Sequence, residues 1–302
     1  MRALIVLSLL LLPSCRTLSG KAHEGERPNV PFPTLGGKQF WRDTWWREGW
    51  RVQTNVWTGH SRLLDASGIR RAWGTEEACL LRGDELAPES PARDELVVLI
   101  HGFGRSDASL DRLARRLSER GFETACVGYP STHGNIAKHA AGLDRLLSRL
   151  DPAPARLSFV THSMGGIIAR ALNAPDVAWR ARSAPGRLVQ LAPPNSGAAL
   201  ARVVKSIPGF GLLAGPALDD MTGPLDLPTP GLEIGVIAAG SMTDSGFNLL
   251  ISGDDDGVVG VEETRLDQPH EHATIRGMHT IVMNQAQAVD LVDAFLATGS
   301  FE

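Results

Sequence analysis

The sequence predicts an α/β domain, a mainly parallel sheet flanked by helices on both faces, from about Glu95 to the C-terminus. Short apolar runs alternate there with segments of helical period, the pattern of βαβ units. The run at 96–100 is continuous and β-branched, as expected for a strand buried on both faces. One of them passes directly into Thr161-His162-Ser163-Met164-Gly165-Gly166 and then an apolar helical segment, a sharp strand-to-helix turn.

Taken in order, residues 96–100 form the first expected strand. Residues 109–120 carry apolar side chains at 110, 113, 114 and 117, a helical spacing. A strand is expected at 124–129, a helix at 136–150, a strand at 157–160 and a helix at 167–172. Further strands are expected at 188–191, 234–239 and 273–276, with a closing helix at 280–296. No internal repeat is visible.

The 302 residues are 43% hydrophobic and 21% charged, which places the chain among globular proteins and against disorder. A formal net charge of -4 leaves no basic footprint for phosphate backbones, so nucleic acid is not an expected partner.

Before the α/β region the chain reads differently. Met1-Arg2 supplies a positive start and residues 3–12 are nearly all apolar, too few to span a bilayer, so residues 1–14 read as a signal peptide. Leu12-Pro13-Ser14-Cys15 resembles a bacterial lipoprotein signal, although Pro13 departs from the small or aliphatic residue usual there. The resemblance implies lipidation at Cys15, export, and residence in the bacterial cell envelope, facing the periplasm or the exterior. Acyl chains on Cys15 would make the membrane surface a partner without any spanning helix. The alternative is ordinary secretory cleavage, with Cys15 incidental. Residues 15–37, rich in Gly, Pro and charge, read as a flexible tether.

Residues 38–94 read as a Trp-rich extension packed on the main domain; five of the seven tryptophans lie between 41 and 57, and the spacing of Trp41, Trp45 and Trp46 fits one face of a helix. The competing reading is a lipid-interface surface, which indole rings favour. Of the remaining cysteines, Cys126 reads as a small core residue. A Cys79 to Cys126 bridge is open, since two cysteines fix no geometry.

Ser163 is the candidate nucleophile, at a turn that pushes its hydroxyl above the sheet. Gly165 supplies the small residue needed after it, while Thr161 replaces the glycine most often found before it. A serine hydroxyl at neutral pH needs a base within reach and an acid to orient that base. Among the nine histidines only His270, His272 and His279 come late enough for the order Ser, acid, His, and His279 alone follows the strand at 273–276. The acid is expected after the strand at 234–239, where Asp254-Asp255-Asp256-Gly257 lies. Asp256 is preferred because Gly257 permits a tight turn, with Asp254 and Asp255 solvated. A calcium site in this acidic run is the competing reading, but its spacing matches no recognised calcium loop, and no metal is expected. The backbone N–H groups of Met164 and Phe103 are the candidate oxyanion donors. Such donors are worth roughly 3–4 kcal/mol each.

These blocks, with Gly128-Tyr129-Pro130-Ser131, Leu191-Ala192-Pro193-Pro194-Asn195-Ser196-Gly197 and Met278-His279-Thr280, make the chain resemble the lipase and esterase branch of the α/β-hydrolase superfamily, including bacterial lipases and the GPI-inositol-deacylase-like group. The resemblance covers Glu95 to the C-terminus. It implies hydrolysis of acyl or lipid-like carboxylic esters through an acyl-enzyme, without a cofactor. It also implies a cap within 196–232, where Ile207, Phe210, Leu212, Leu213 and Leu218 would line an acyl pocket; the alternative is a plain surface excursion. Two alternatives stay open: a thioesterase or acyltransferase using the same triad, and a non-catalytic envelope lipoprotein retaining the fold.

Overall fold

The first elements correct the sequence reading. In the computed structural model, which describes residues 38–206, 216–223, 227, 229 and 231–302, the Trp-rich segment is a strand and not a helix. β1 (Trp41–Arg47) pairs antiparallel with β2 (Trp50–Asn55) through a two-residue turn in which Glu48 and Gly49 both have positive φ, +47° and +80°. That turn twists with the strands it joins, and a glycine at its second position admits it. Trp45 packs beneath a small core with Val52, Leu63 and Cys79, whereas its neighbour Trp46 enters the large core of the main domain. Adjacent tryptophans facing opposite sides are the signature of a two-residue period, helped here by a bulge between Asp43 and Trp45. Both rings are therefore buried in protein and unavailable to a lipid interface, while Trp57 is exposed.

The meander continues through β3 (Ser61–Leu64) and β4 (Arg70–Gly74) and is covered by α1 (Glu76–Leu86). Thr75 caps that helix by accepting from the Ala78 N–H at 3.2 Å. Cys79 sits on its buried face and is not bonded to Cys126.

The main sheet has six parallel strands: β5 (Glu95–Ile100), β6 (Thr124–Val127), β7 (Arg156–His162), β8 (Ala184–Leu191), β9 (Glu233–Gly240) and β10 (Glu271–Arg276). Their order is β10-β9-β8-β7-β5-β6. Alternate residues of β5 feed two cores. Val97 and Leu99 face α2 (Asp111–Ser118) and α7 (Ala286–Thr298), and Leu96, Val98 and Ile100 face α3 (Ile136–Leu147) and α4 (Met164–Leu172). Each such side chain removed from water contributes about 1.5–3 kcal/mol, which is why the run is apolar throughout. The expected parallel sheet with helices on both faces is borne out.

Two expectations differ in detail. The closing helix starts at Ala286, because residues 280–285 form a turn with a short 3-10 segment, Val282–Asn284. Of the region expected as a cap, α5 (Ala199–Ser206) and α6 (Pro216–Asp220) are helical and Leu218 is buried, while Ile207, Phe210, Leu212 and Leu213 lie outside the described residues. So do residues 1–37, with the signal peptide, Cys15 and the tether. Among the described residues, no helix is long and apolar enough to cross a membrane.

The extension is stitched to the main sheet by Asp43, which is fully buried. Its carboxylate accepts from the Gly128 N–H at 2.7 Å and from Gln53 Nε2 at 2.7 Å, and its own N–H donates to the Gly128 carbonyl at 2.9 Å. Chain order reverses between β5 and β7, and the crevice at such a reversal opens at the carboxyl ends of the strands. Residues 101–107 and Ser163 leave the sheet there.

Candidate active site

Ser163 stands between β7 and α4 with φ +54° and ψ −129°, a strained conformation costing about 1–3 kcal/mol that surrounding contacts must hold. Its N–H donates to the Leu191 carbonyl at 2.8 Å and its carbonyl accepts from Gly166 at 2.8 Å. A Cβ at Gly165 would lie 2.4 Å from the Ile100 carbonyl oxygen and 2.7 Å from that of His101, so the turn excludes any larger residue. Thr161 is tolerated because its side chain points into the sheet, where its hydroxyl donates to the Val189 carbonyl at 3.3 Å.

The three expected side chains converge. Ser163 Oγ donates to His279 Nε2 at 2.9 Å, and His279 Nδ1 donates to Asp256 Oδ2 at 2.7 Å. The other oxygen, Asp256 Oδ1, accepts the N–H groups of Val258 and Val259 at 2.9 and 2.8 Å, so the carboxylate is gripped on one side and aimed on the other. The His279 N–H also donates to the Asp256 carbonyl at 2.9 Å, and Gly257 carries the turn at φ +97°. All three residues are buried to 8% exposure or less, so water competes weakly for these bonds.

Asp254 and Asp255, expected in solvent, are corrected. Asp255 is fully buried and accepts from the N–H groups of Gly257 and Asn248. Asp254 accepts from Ser241 N–H and Oγ and from Met242 N–H. Each carboxylate braces a separate turn because backbone N–H groups left inside the loop need acceptors. His270 and His272 lie away from the triad; they bond the Gln268 carbonyl and the Thr264 hydroxyl.

From the sequence His162 reads as a buried neighbour of the nucleophile and not a catalyst, and it is buried; its bracing role carried no assignment. Its Nε2 donates to the His279 carbonyl at 2.9 Å, holding the backbone beneath the imidazole. Burial first, and the neighbouring His279 second, keep its pKa well below the ordinary histidine value, so it is a neutral brace. Its place beside the serine was the available signal. His101 stacks on Tyr129 with ring centroids 4.2 Å apart, and the Tyr129 hydroxyl donates to the His101 carbonyl. Burial lowers the His101 pKa to about 4.

The loop bearing Phe103 passes directly over the serine: a Cβ at Gly102 would lie 2.9 Å from the Ser163 Cβ. Met164 is the first residue of α4, so its N–H lies at the helix start. Beside His279 and along the loop after β9 stand exposed apolar side chains: Met278 and Ile281, then Met242, Phe247, Leu249 and Leu250. The β9 loop is tied to the acid, since Asn248 Nδ2 donates to the Gly257 carbonyl at 3.0 Å.

Residues 90–178 match the protein family described as "Putative serine esterase (DUF676)". In fold, the chain is similar to the mature form of the lipase BlEst2 of Bacillus licheniformis, with a TM-score of 0.55 and 16% identity over 72% of this chain and 96% of that one. It is also similar to the product of gene lin2722 of Listeria innocua, with a TM-score of 0.50 and 16% identity over 68% of this chain and 94% of that one. No curated protein matches the chain in sequence. The fold is that of the α/β-hydrolases.

Proposed function

We propose that the chain is a serine carboxylic-ester hydrolase that acts through an acyl-enzyme on acyl or lipid-like esters. The observation that carries this reading is the continuous relay from Ser163 Oγ through His279 to Asp256, built on a strained serine. Ser163 Oγ attacks the ester carbonyl carbon while its proton passes to His279 Nε2. The carbonyl oxygen becomes an oxyanion, received by the N–H groups of Phe103 and Met164. Collapse re-forms the carbonyl and breaks the bond to the alkoxy group, which takes the proton from Nε2 and leaves as the alcohol. Water then repeats the sequence on the acyl-enzyme: it attacks the acyl carbon, gives a proton to His279, and Ser163 Oγ leaves with that proton as the acid departs.

A lipid-like acyl group is favoured by the exposed apolar side chains of Met278 and Ile281 near His279, and of the loop bonded to Gly257, among them Leu249 at 94% exposure. The complete relay supports catalysis over a non-catalytic envelope role. Initial rates of the purified full chain on p-nitrophenyl esters of increasing acyl length test the reading. Hydrolysis abolished in Ser163→Ala supports it, and equal rates for wild type and Ser163→Ala overturn it; faster turnover of matched acyl thioesters would reassign it as a thioesterase.

We also propose that Cys15 carries the lipid that holds the protein at the envelope membrane, on the strength of the apolar run and the Leu12-Pro13-Ser14-Cys15 sequence. Metabolic labelling with an alkyne fatty acid is expected to mark wild type and not Cys15→Ala. Equal labelling of the two rejects the assignment.

A further inference from the structure

The loop that would supply an oxyanion donor is held from outside the family-matched region. Gln39, in the short turn before β1, lies among side chains 66 to 93 positions away in the chain. Its Nε2 donates to the Arg105 carbonyl. Its Oε1 accepts from Ser131 Oγ at 3.0 Å and from the N–H and hydroxyl of Thr132, both at 3.1 Å. Ser131 Oγ in turn accepts from the Gly104 N–H at 3.0 Å. A single amide thus touches the loop after β5 directly, at the Arg105 carbonyl, and again through Ser131, at the N–H of the peptide that follows Phe103.

Two more side chains of the extension hold the far end of the same loop. Lys38 Nζ lies 3.3 Å from Asp107 Oδ1, and Arg51 pairs with Asp107 Oδ2 at 2.5 Å. Burial would raise the Asp107 carboxyl, but Arg51 and then Lys38 outweigh it and hold it below its ordinary value. The loop's near end is fixed by Gly102 against Ser163. Between these points stands Phe103, and Ser131, the relay to Gly104, is fully buried.

We propose that Gln39 is a positioning residue for the reaction, orienting the Gly102-Phe103-Gly104 loop so that the Phe103 N–H faces the oxyanion. This rests on the ester-hydrolase reading. It makes the N-terminal extension part of the catalytic machinery and not a separate module. A donor held out of place weakens binding of the transition state far more than that of the neutral ester, so the effect belongs in kcat.

The test compares wild type, Gln39→Met, Ser131→Ala, the double variant and Arg93→Ala as full chains on p-nitrophenyl butyrate, below the melting temperature of each. Gln39→Met keeps side-chain length but loses every bond described. Its kcat is expected to fall roughly 10- to 50-fold with KM within about twofold, a part of the ~10²–10³ lost when an oxyanion donor is removed outright. Ser131→Ala cuts the same relay from the main domain and carries the test if Gln39→Met does not fold. The double variant is expected to lose little more than the worse single one, because the two act in series.

Arg93 ties the extension to the main domain at the opposite end of the sheet, through Glu48 and Glu123. Arg93→Ala is therefore expected to lower stability and leave kcat within about twofold. A Gln39→Met kcat equal to wild type, or an Arg93→Ala kcat reduced as much as that of Gln39→Met, overturns the positioning role alone. Equal rates for wild type and Ser163→Ala overturn the ester-hydrolase reading, and this inference with it.

Discussion

Replacing Asp256 by asparagine changes one atom and reverses the relay. Asp256 Oδ1 accepts two backbone N–H groups, from Val258 and Val259, while Oδ2 accepts the proton on His279 Nδ1. The amide of Asp256→Asn has only one oxygen. Turning that oxygen toward His279 strands two buried N–H groups, at about 1–3 kcal/mol each. With at least about 2 kcal/mol against it, this orientation holds no more than a few per cent of molecules. In the rest the NH2 faces His279, so Nδ1 must accept and the imidazole proton moves to Nε2. There it cannot take the proton of Ser163. The loss in kcat therefore lies between about 30-fold, set by the residual correct orientation, and the ~10⁴-fold seen when a triad histidine is locked in the wrong tautomer, which is about 5.5 kcal/mol. Initial rates on p-nitrophenyl butyrate measure it, beside a thermal melt to establish that the variant is folded. A folded Asp256→Asn within tenfold of wild type would refute the orienting role of the carboxylate.

Gly165→Ala sets a methyl 2.4 Å from the Ile100 carbonyl oxygen, so the elbow must shift; a loss of about 1–3 kcal/mol in urea unfolding is expected together with reduced turnover, and unchanged stability would contradict the close packing. Stability should fall as pH drops from about 6.5 toward 4. His101 titrates near 4 in the folded protein because burial disfavours its charged form, so in that window the unfolded chain binds more protons. The contribution of His101 is on the order of 3 kcal/mol, and His139, also lowered to about 4 by burial, adds in the same direction. Buried Asp43, whose carboxyl burial pushes up, opposes them in the carboxylate range. Urea midpoints at pH 7.5, 5.5 and 4.5 check the sign, and a flat profile would contradict it. Leu249→Ser with Leu250→Ser should lower kcat/KM for long acyl esters several-fold and leave acetate esters unchanged, since both side chains are exposed beside the loop tied to Asp256; equal effects on both ester classes would remove the apolar rim from substrate binding.

The central parallel strands were legible because they are buried on both faces, which leaves an apolar run such as residues 96–100 with no competing pattern. Ser163, Asp256 and His279 were legible because each follows a strand end at the same edge of the sheet. The Trp-rich segment misled because positions 41, 45 and 46 satisfy a helical spacing, whereas a bulge and the Glu48-Gly49 turn make it a hairpin whose two neighbouring indoles serve different cores. Asp254 and Asp255 look like a solvated acidic run until the turns they brace are seen, since backbone N–H groups carry no sequence signature. Gln39 was invisible for a related reason: its partners are brought to it only by the docking of the extension.

The most direct measurement is the mass and position of the adduct formed by a fluorophosphonate, a probe that needs the activated serine and the oxyanion donors together. One phosphonyl group on the peptide containing Ser163 is expected, with its rate of formation sharply reduced in His279→Ala. An adduct on another residue, or an equal labelling rate in Ser163→Ala, would contradict the account.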